Sequence, residues 1–155
     1  MTGELFAAIE ALALAKALRD SVWAYPLVNA AHILGVALLV GSIVPLDLRL
    51  LGFWRSLPLA PLWHVLTRIA AAGLVLAATF GALLFITRAT EYAASPLFLS
   101  KMIALAVGVA NAILLLRASP EAPATRAPKH LRAAAAVSLA AWLTTLTLGR
   151  LVGYF

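Results

Sequence analysis

An uninterrupted apolar segment occupies residues 26–46 and reads PLVNAAHILGVALLVGSIVPL. It has the ~20 residues that an α-helix needs to cross the hydrocarbon core of a bilayer. One histidine, His32, lies well inside it. An ionisable group at that depth is costly unless it is paired, buried or used, so His32 is the first candidate functional residue.

The composition extends this interpretation to the whole 155-residue chain. Apolar residues make up 64% and charged residues 12% of it, whereas soluble domains average roughly 45–50% and about 25%. We predict an integral membrane protein with a single domain, residues 1–155. The net charge of +6 comes mostly from basic residues at the ends of apolar segments, where they meet lipid headgroups, so nucleic acid is not an expected partner.

Four segments are predicted to span the membrane, and one shorter segment precedes them. The predicted spans are residues 26–46, 63–87, 96–116 and 130–152. Pro45 with Asp47 indicates the end of the first span. Residues 3–18 are rich in Ala and Leu but short for a span, so we predict an amphipathic helix lying at the interface. The predicted fold class is all-α, an up-down bundle of four transmembrane helices preceded by that interfacial helix.

Small residues recur every four positions in the second span, at Gly73, Ala77 and Gly81. This spacing forms a ridge that a neighbouring helix can approach closely. Because such ridges favour association, the expected partners are the lipid bilayer and either further copies of the chain or a larger membrane complex.

Basic residues near the span ends favour one orientation. The side with the first and third connections has seven: Arg49, Arg55, Arg68, Arg117, Arg126, Lys129 and Arg132. The opposite side has five: Lys16, Arg19, Arg88, Lys101 and Arg150. Basic residues concentrate on the cytoplasmic side, so both termini are expected in the periplasm of a bacterium, with the protein in the cytoplasmic (inner) membrane.

Polar side chains of three spans fall in the half of the bundle that is nearest the termini. His32, for example, lies about 9 Å past Pro26 at helical rise. The candidate ligand-binding residues are His32, Lys101, Arg150, Asn29, Tyr25 and Thr147. Together they predict a net-positive pocket for an anionic or carbonyl-bearing small molecule, a lipid or a partner protein. In the alternative interpretation, Lys101 and Arg150 extend to the headgroups, while His32 and Asn29 bond to each other or to a backbone carbonyl.

A second polar group lies at the opposite face of the predicted bundle, where a structural role is the simplest interpretation. We predict an ion pair of Asp47 with Arg49 or Arg68, which would tie the first connection to the second span. His64 and His130 each begin a span, where an interfacial histidine is ordinary.

Cofactor sites find little support in the sequence. A bis-histidine haem b needs two ligands at one depth, but His32 and His64 differ by on the order of 17–20 Å at helical rise. Cu(I) prefers thiolate and thioether ligands, yet the chain has no cysteine and only two methionines. We predict no catalytic residue, metal or resident cofactor. One alternative is a redox subunit with haem b or quinone. The other is an oligomeric transporter or channel with His32 as a proton relay, which no intramembrane carboxylate supports.

The segment 18–55 and several later positions resemble a family of small bacterial four-helix membrane proteins. The matching residues are Trp23, Tyr25, Pro26, His32, Gly35, Gly41, Asp47, Arg49 and Leu50, then the run 81–85, Lys101, Asn111, Trp142, Gly149 and Arg150. That family is distantly similar to the membrane domain of copper-resistance proteins. The resemblance implies a four-helix membrane fold and no particular activity.

Overall fold

The computed structural model describes residues 2–117 and 127–154. They form the helices α1 (Thr2–Glu10), α2 (Ala13–Asp20), α3 (Ala24–Leu51), α4 (Leu59–Thr87), α5 (Ala89–Ala94), α6 (Pro96–Arg117) and α7 (Lys129–Leu151). Four of these, α3, α4, α6 and α7, are long and apolar enough to cross a membrane. The described part of the chain is therefore all-helical, as predicted. The four long apolar helices suggest a multi-pass membrane protein.

Helix α3 continues past its predicted end. Pro45 lies inside it, although a proline removes one N–H donor and crowds the carbonyl four residues earlier. The crowded carbonyl belongs to Gly41. The space beside this residue is open, since a Cβ built on Gly41 would have nothing within 4 Å. The helix ends at Gly52, which adopts a left-handed φ of 112° and donates its N–H to the Arg49 carbonyl. Asp47 and Arg49 therefore belong to a helix and not to a surface connection.

The four long helices lie in the order α4–α3–α7–α6. Helix α3 packs against α4 and α7, and α7 packs against α6. Within the described residues, the backbones of α4 and α6 stay apart, although the rings of Phe85 and Phe98 stack across them at one end. The helices therefore leave a cleft between α4 and α6, with α3 and α7 behind it.

The small-residue ridge on α4 is covered by α3. A Cβ added at Gly73 would lie 2.5 Å from the backbone nitrogen of Leu39 and 2.8 Å from the carbonyl oxygen of Gly35. A Cβ at Gly35 would collide with the backbone of Ala77. The predicted close approach is confirmed, but it occurs within one chain. This ridge is thus not free to associate with a second copy.

A hairpin of two helices, α1 and α2, replaces the single helix predicted over residues 3–18. The guanidinium of Arg19 donates to the carbonyl oxygens of Thr87, at 2.7 Å, and of Glu10, at 2.9 Å. The Glu10 carboxylate accepts the backbone N–H of Thr90 at 2.7 Å. These bonds fix the amino-terminal helices to the junction of α4 and α5. We call this end of the molecule the terminal end, and the opposite end, with residues 52–58, the loop end.

An aromatic stack joins α4, α5 and α6 at the terminal end. The rings of Phe85, Tyr92 and Phe98 have centroids 5.3–6.2 Å apart. Burial in this stack raises the pKa of the Tyr92 phenol above its ordinary value. The stack therefore holds the short helix α5 against its two long neighbours.

Candidate functional site

The residues of the predicted net-positive pocket are mostly dispersed. Thr147 and Arg150 are exposed on α7, and each donates a hydrogen bond to a residue four positions away on its own chain segment. Asn29 is exposed on α3. Tyr25 hydrogen-bonds with Tyr92 of α5. The structure does not bring these four side chains to one point.

His32 and Lys101 do approach each other. Lys101 is close enough to His32 to interact electrostatically, and its side chain lies along Gly149 of α7. The Nδ1–H of His32 donates to the carbonyl oxygen of Ala77 on α4 at 2.8 Å, since a carbonyl oxygen can only accept. Gly81 leaves room for the ring, because a Cβ there would lie 2.9 Å from Cε1. His32 thus has the backbone partner that the alternative interpretation predicts.

The predicted ion pair of Asp47 with Arg49 or Arg68 is wrong. Residues two apart on a helix do not face each other, so Asp47 and Arg49 point to different sides of α3. The Arg49 guanidinium donates to the carbonyl oxygens of Leu57, at 2.9 Å, and Arg55, at 3.3 Å. Arg68 is exposed. Arg49 therefore holds the connection between α3 and α4, and Asp47 is buried without an arginine.

Asp47 faces α7, where it meets polar partners that the sequence does not single out. Its side chain is 2% exposed, and the hydroxyl of Ser138 hydrogen-bonds to its carboxyl group. The oxygen Oδ2 has no hydrogen-bond partner among the described residues. One turn further along the same face of α7, Trp142 is also 2% exposed. Its Nε1–H likewise lacks a partner in the described ranges.

Both of these residues line the cleft between α4 and α6. The cleft has a volume of about 140 Å³, and all four long helices contribute to it. Its walls are mainly apolar, with the indoles of Trp63 and Trp142 among them. Among the described residues that line the cleft, Asp47 is the only one with an ionisable side chain. The site is thus an apolar cleft with one acidic group.

The cleft extends from the loop end, where Asp47 is four residues before the end of α3 and Leu116 one residue before the end of α6, toward the middle of the long helices. Ser138 is nine residues from the start of α7, which places it ~14 Å in at helical rise. Thr67, another lining residue, is eight residues from the start of α4, or ~12 Å. Half of a bilayer's hydrocarbon core is ~15 Å. A buried polar group left unpaired costs about 1–3 kcal/mol, so two in one cleft point to a missing partner.

His32 lies far from His64, because its partner Ala77 is thirteen residues further along α4, or ~20 Å at helical rise. His32 is held at the contact of α3 and α4, while His64 and His130 are exposed near the starts of α4 and α7. In residues 2–117 and 127–154, no group of three or more His, Cys, Asp or Glu is arranged to hold a metal ion. His32 therefore does not share a site with either of the other two histidines.

Comparison with models of protein families, with curated proteins and with solved structures finds no match for the chain. The resemblance to the bacterial four-helix family stays a prediction.

Two residues of this cleft were missed by sequence reasoning, and one was misplaced. The sequence does contain a pattern that links Ser138 and Trp142, because residues four apart share a helix face. A tryptophan on an apolar helix is usually a packing residue, so this pattern alone does not predict a site. Asp47 was placed at a helix end because Pro45 precedes it. Transmembrane helices tolerate proline where neighbouring groups compensate.

Proposed function

We propose that the chain is a multi-pass membrane protein that binds a lipophilic molecule in the cleft between α4 and α6. The observation that supports this is the pair of atoms Asp47 Oδ2 and Trp142 Nε1, which lack partners among the described residues and line the same apolar cleft. Buried polar groups in native proteins are nearly always hydrogen-bonded. A hydroxyl end would donate to Oδ2 and accept from Nε1–H, whereas an ammonium end would donate to Oδ2 alone.

The chemistry of the cleft favours a hydrogen-bond donor over an anion. Asp47 is its one ionisable group among the described residues, and a carboxylate attracts cations and accepts hydrogen bonds. Trp63 and Trp142 can face a cation with their indole rings, which are the best aromatic partners for one. The proposed ligand is a lipophilic amine or alcohol. This cleft is a different site from the net-positive pocket that the sequence predicts, and the two share no residue.

The proposal includes an orientation. In a bacterial inner membrane with both termini in the periplasm, which the basic residues favour, Asp47 would lie in the cytoplasmic half of the bilayer. The ligand would then enter from the lipid, between α4 and α6.

A pair of substitutions on α6 tests the site. Ala112 lines the cleft, whereas Ala110 is exposed and does not line it. We expect Ala112→Phe to fill the cleft and abolish binding of dodecylamine, counted by native mass spectrometry, while Ala110→Phe binds as the wild type does. Asp47→Asn removes a charged hydrogen bond of about 1.5–3 kcal/mol and should weaken binding by about tenfold or more.

Dodecanoate serves as the anionic counterpart of the same chain length. Equal binding of dodecylamine by wild type and Ala112→Phe would refute the cleft as the site. Preferential binding of dodecanoate would refute the proposed ligand class. Circular dichroism of each variant confirms that the helices are retained.

A further inference from the structure

We infer that Asp47 binds a proton within the long apolar helices and exchanges it for the donor group of the cleft ligand. The exchange rests on the proposed function, whereas the proton site itself does not. The position of Asp47 in the fold is the first observation that supports the proton site. Of the acidic residues in the described part of the chain, Asp47 alone lies in one of the four long helices.

No cationic side chain compensates Asp47 in the described structure. The polar side chains that line the cleft around it are Thr67 from α4, Asn111 from α6, and Ser138 and Trp142 from α7. The titratable groups of those helices lie outside the cleft lining: His64 and Arg68 on α4, Lys101 and Arg117 on α6, and Lys129, His130, Arg132 and Arg150 on α7. On α3 itself, Arg49 directs Nε and Nη2 to carbonyl oxygens of the connection, and its Nη1 has no hydrogen-bond partner among the described residues.

A carboxylate in such surroundings needs a positive partner. An isolated charge in an apolar medium is far more costly than its neutral form, so the group takes up a proton unless a cation is present. A proton is the smallest cation that fits the cleft without any rearrangement. Asp47 would therefore hold a proton while the cleft contains no cationic ligand.

Ser138 is suited to both forms of Asp47. A hydroxyl group is a donor and an acceptor, so Ser138 can donate to the carboxylate and, after rotation about its C–O bond, accept from the acid. The oxygen Oδ2 remains for the ligand, since it has no partner among the described residues. An ammonium group can donate into Oδ2 once the carboxyl proton has been released to bulk water, so binding of one ammonium releases one proton.

If the protein is a proton-coupled transporter, the proton-binding residue would be Asp47 and not His32. The transporter alternative placed a relay at His32, but its Nδ1–H is donated to the Ala77 carbonyl. Asp47 supplies the intramembrane carboxylate that the sequence interpretation lacked.

The test uses N,N′-dicyclohexylcarbodiimide, a lipophilic reagent for protonated carboxyl groups, on the intact protein in detergent micelles. The acid proton moves to a carbodiimide nitrogen and the carboxylate oxygen adds to the central carbon. The O-acylisourea formed then shifts its acyl group from oxygen to nitrogen and leaves a stable N-acylurea, with no leaving group. We expect one adduct, located on Asp47 by peptide mass spectrometry and missing in Asp47→Asn.

The rate of labelling should fall by about tenfold per pH unit once the carboxyl ionises. Ala112→Phe should block labelling, while Ala110→Phe should leave it unchanged. Dodecylamine at saturating concentration should slow labelling at least tenfold. Dodecanoate at the same concentration, which has an alkyl chain of the same length but no donor group, should leave the rate unchanged.

The outcomes separate this inference from the proposed function. Absence of the Asp47 adduct between about pH 5 and 9, or labelling that is independent of pH, overturns the proton site even if dodecylamine still binds. Labelling that depends on pH but is not slowed by dodecylamine overturns the exchange. Loss of dodecylamine binding in Ala110→Phe as well as Ala112→Phe would instead count against the proposed function.

Discussion

His32 donates its Nδ1 hydrogen to the Ala77 carbonyl across the contact of α3 and α4. Gly81 provides the space for the imidazole ring. An ionisable side chain in an apolar segment must find a partner, and a backbone carbonyl of the next helix is sufficient. The bond gives His32 a structural role that its position in the sequence leaves open.

We expect His32→Ala to lower the free energy of unfolding by roughly 0.5–1.5 kcal/mol, the usual net contribution of one hydrogen bond. Dodecylamine binding should be unchanged. Thermal unfolding in detergent and native mass spectrometry measure the two effects, with His64→Ala, an exposed histidine, as the control. Loss of amine binding at wild-type stability would show that His32 belongs to the binding site after all.

The residue types of the cleft are visible in the sequence, but their arrangement is not. The sequence predicts an arginine partner for Asp47, whereas the structure places Ser138 beside it. Whether it meets Arg49, Arg68 or Ser138 depends on the rotation of α3 against α7. That rotation is decided by packing across the whole contact, which no local pattern encodes.

The contact between α3 and α4 depends on two glycines that allow the helix backbones to touch. Gly35 and Gly73 each lie directly against the facing backbone. Between membrane helices, such close approach contributes through van der Waals contact and not through the hydrophobic effect. Side chains at these two positions would separate the helices.

We expect Gly73→Leu to lower the free energy of unfolding by about 1–3 kcal/mol or more, the usual cost of overpacking. Gly41→Leu should change stability by no more than about 0.5 kcal/mol, because a Cβ at Gly41 meets nothing within 4 Å. Thermal unfolding of both variants in the same detergent provides the comparison. Equal losses in the two would contradict the assigned contact.

The predicted spans and the long helices of the structure differ mainly at their ends. The sequence predicts spans at 96–116 and 130–152, and the structure has Pro96–Arg117 and Lys129–Leu151. The larger differences lie at the loop end, where α3 and α4 extend beyond their apolar segments. Hydropathy reports which residues suit the bilayer core, whereas helix length also depends on capping, here by Gly52.

At the scale of the molecule, Arg19 joins three parts of the chain. It lies in α2 and donates to the carbonyl oxygens of Glu10 in α1 and Thr87 in α4. A sequence pattern that measures only local hydropathy predicts a separate interfacial helix here, because the partner Thr87 is 68 residues away. The docking of the amino-terminal hairpin thus follows from a long-range contact.

We expect Arg19→Met to release this hairpin without unfolding the long helices. Hydrogen exchange should accelerate about tenfold or more over residues 2–20, since charged hydrogen bonds contribute about 1.5–3 kcal/mol, and should stay unchanged in α6 and α7. Lys16→Met, at an exposed position of the same helix, is the matched control. Uniform acceleration in all helices would show that the hairpin is not an independent unit.

Because the cleft opens between α4 and α6, a ligand would reach it from the surrounding lipid and not from water. The solvent there is acyl chain, and apolar surface gains little by moving from acyl chains to leucine side chains. A longer alkyl tail would raise the amount of ligand dissolved in the membrane without tightening its hold on the cleft. Dissociation constants based on the ligand concentration in the membrane would then rank ligands by the polar group that meets Asp47. Dissociation constants based on the ligand concentration in water would rank them mainly by how strongly they partition into the membrane.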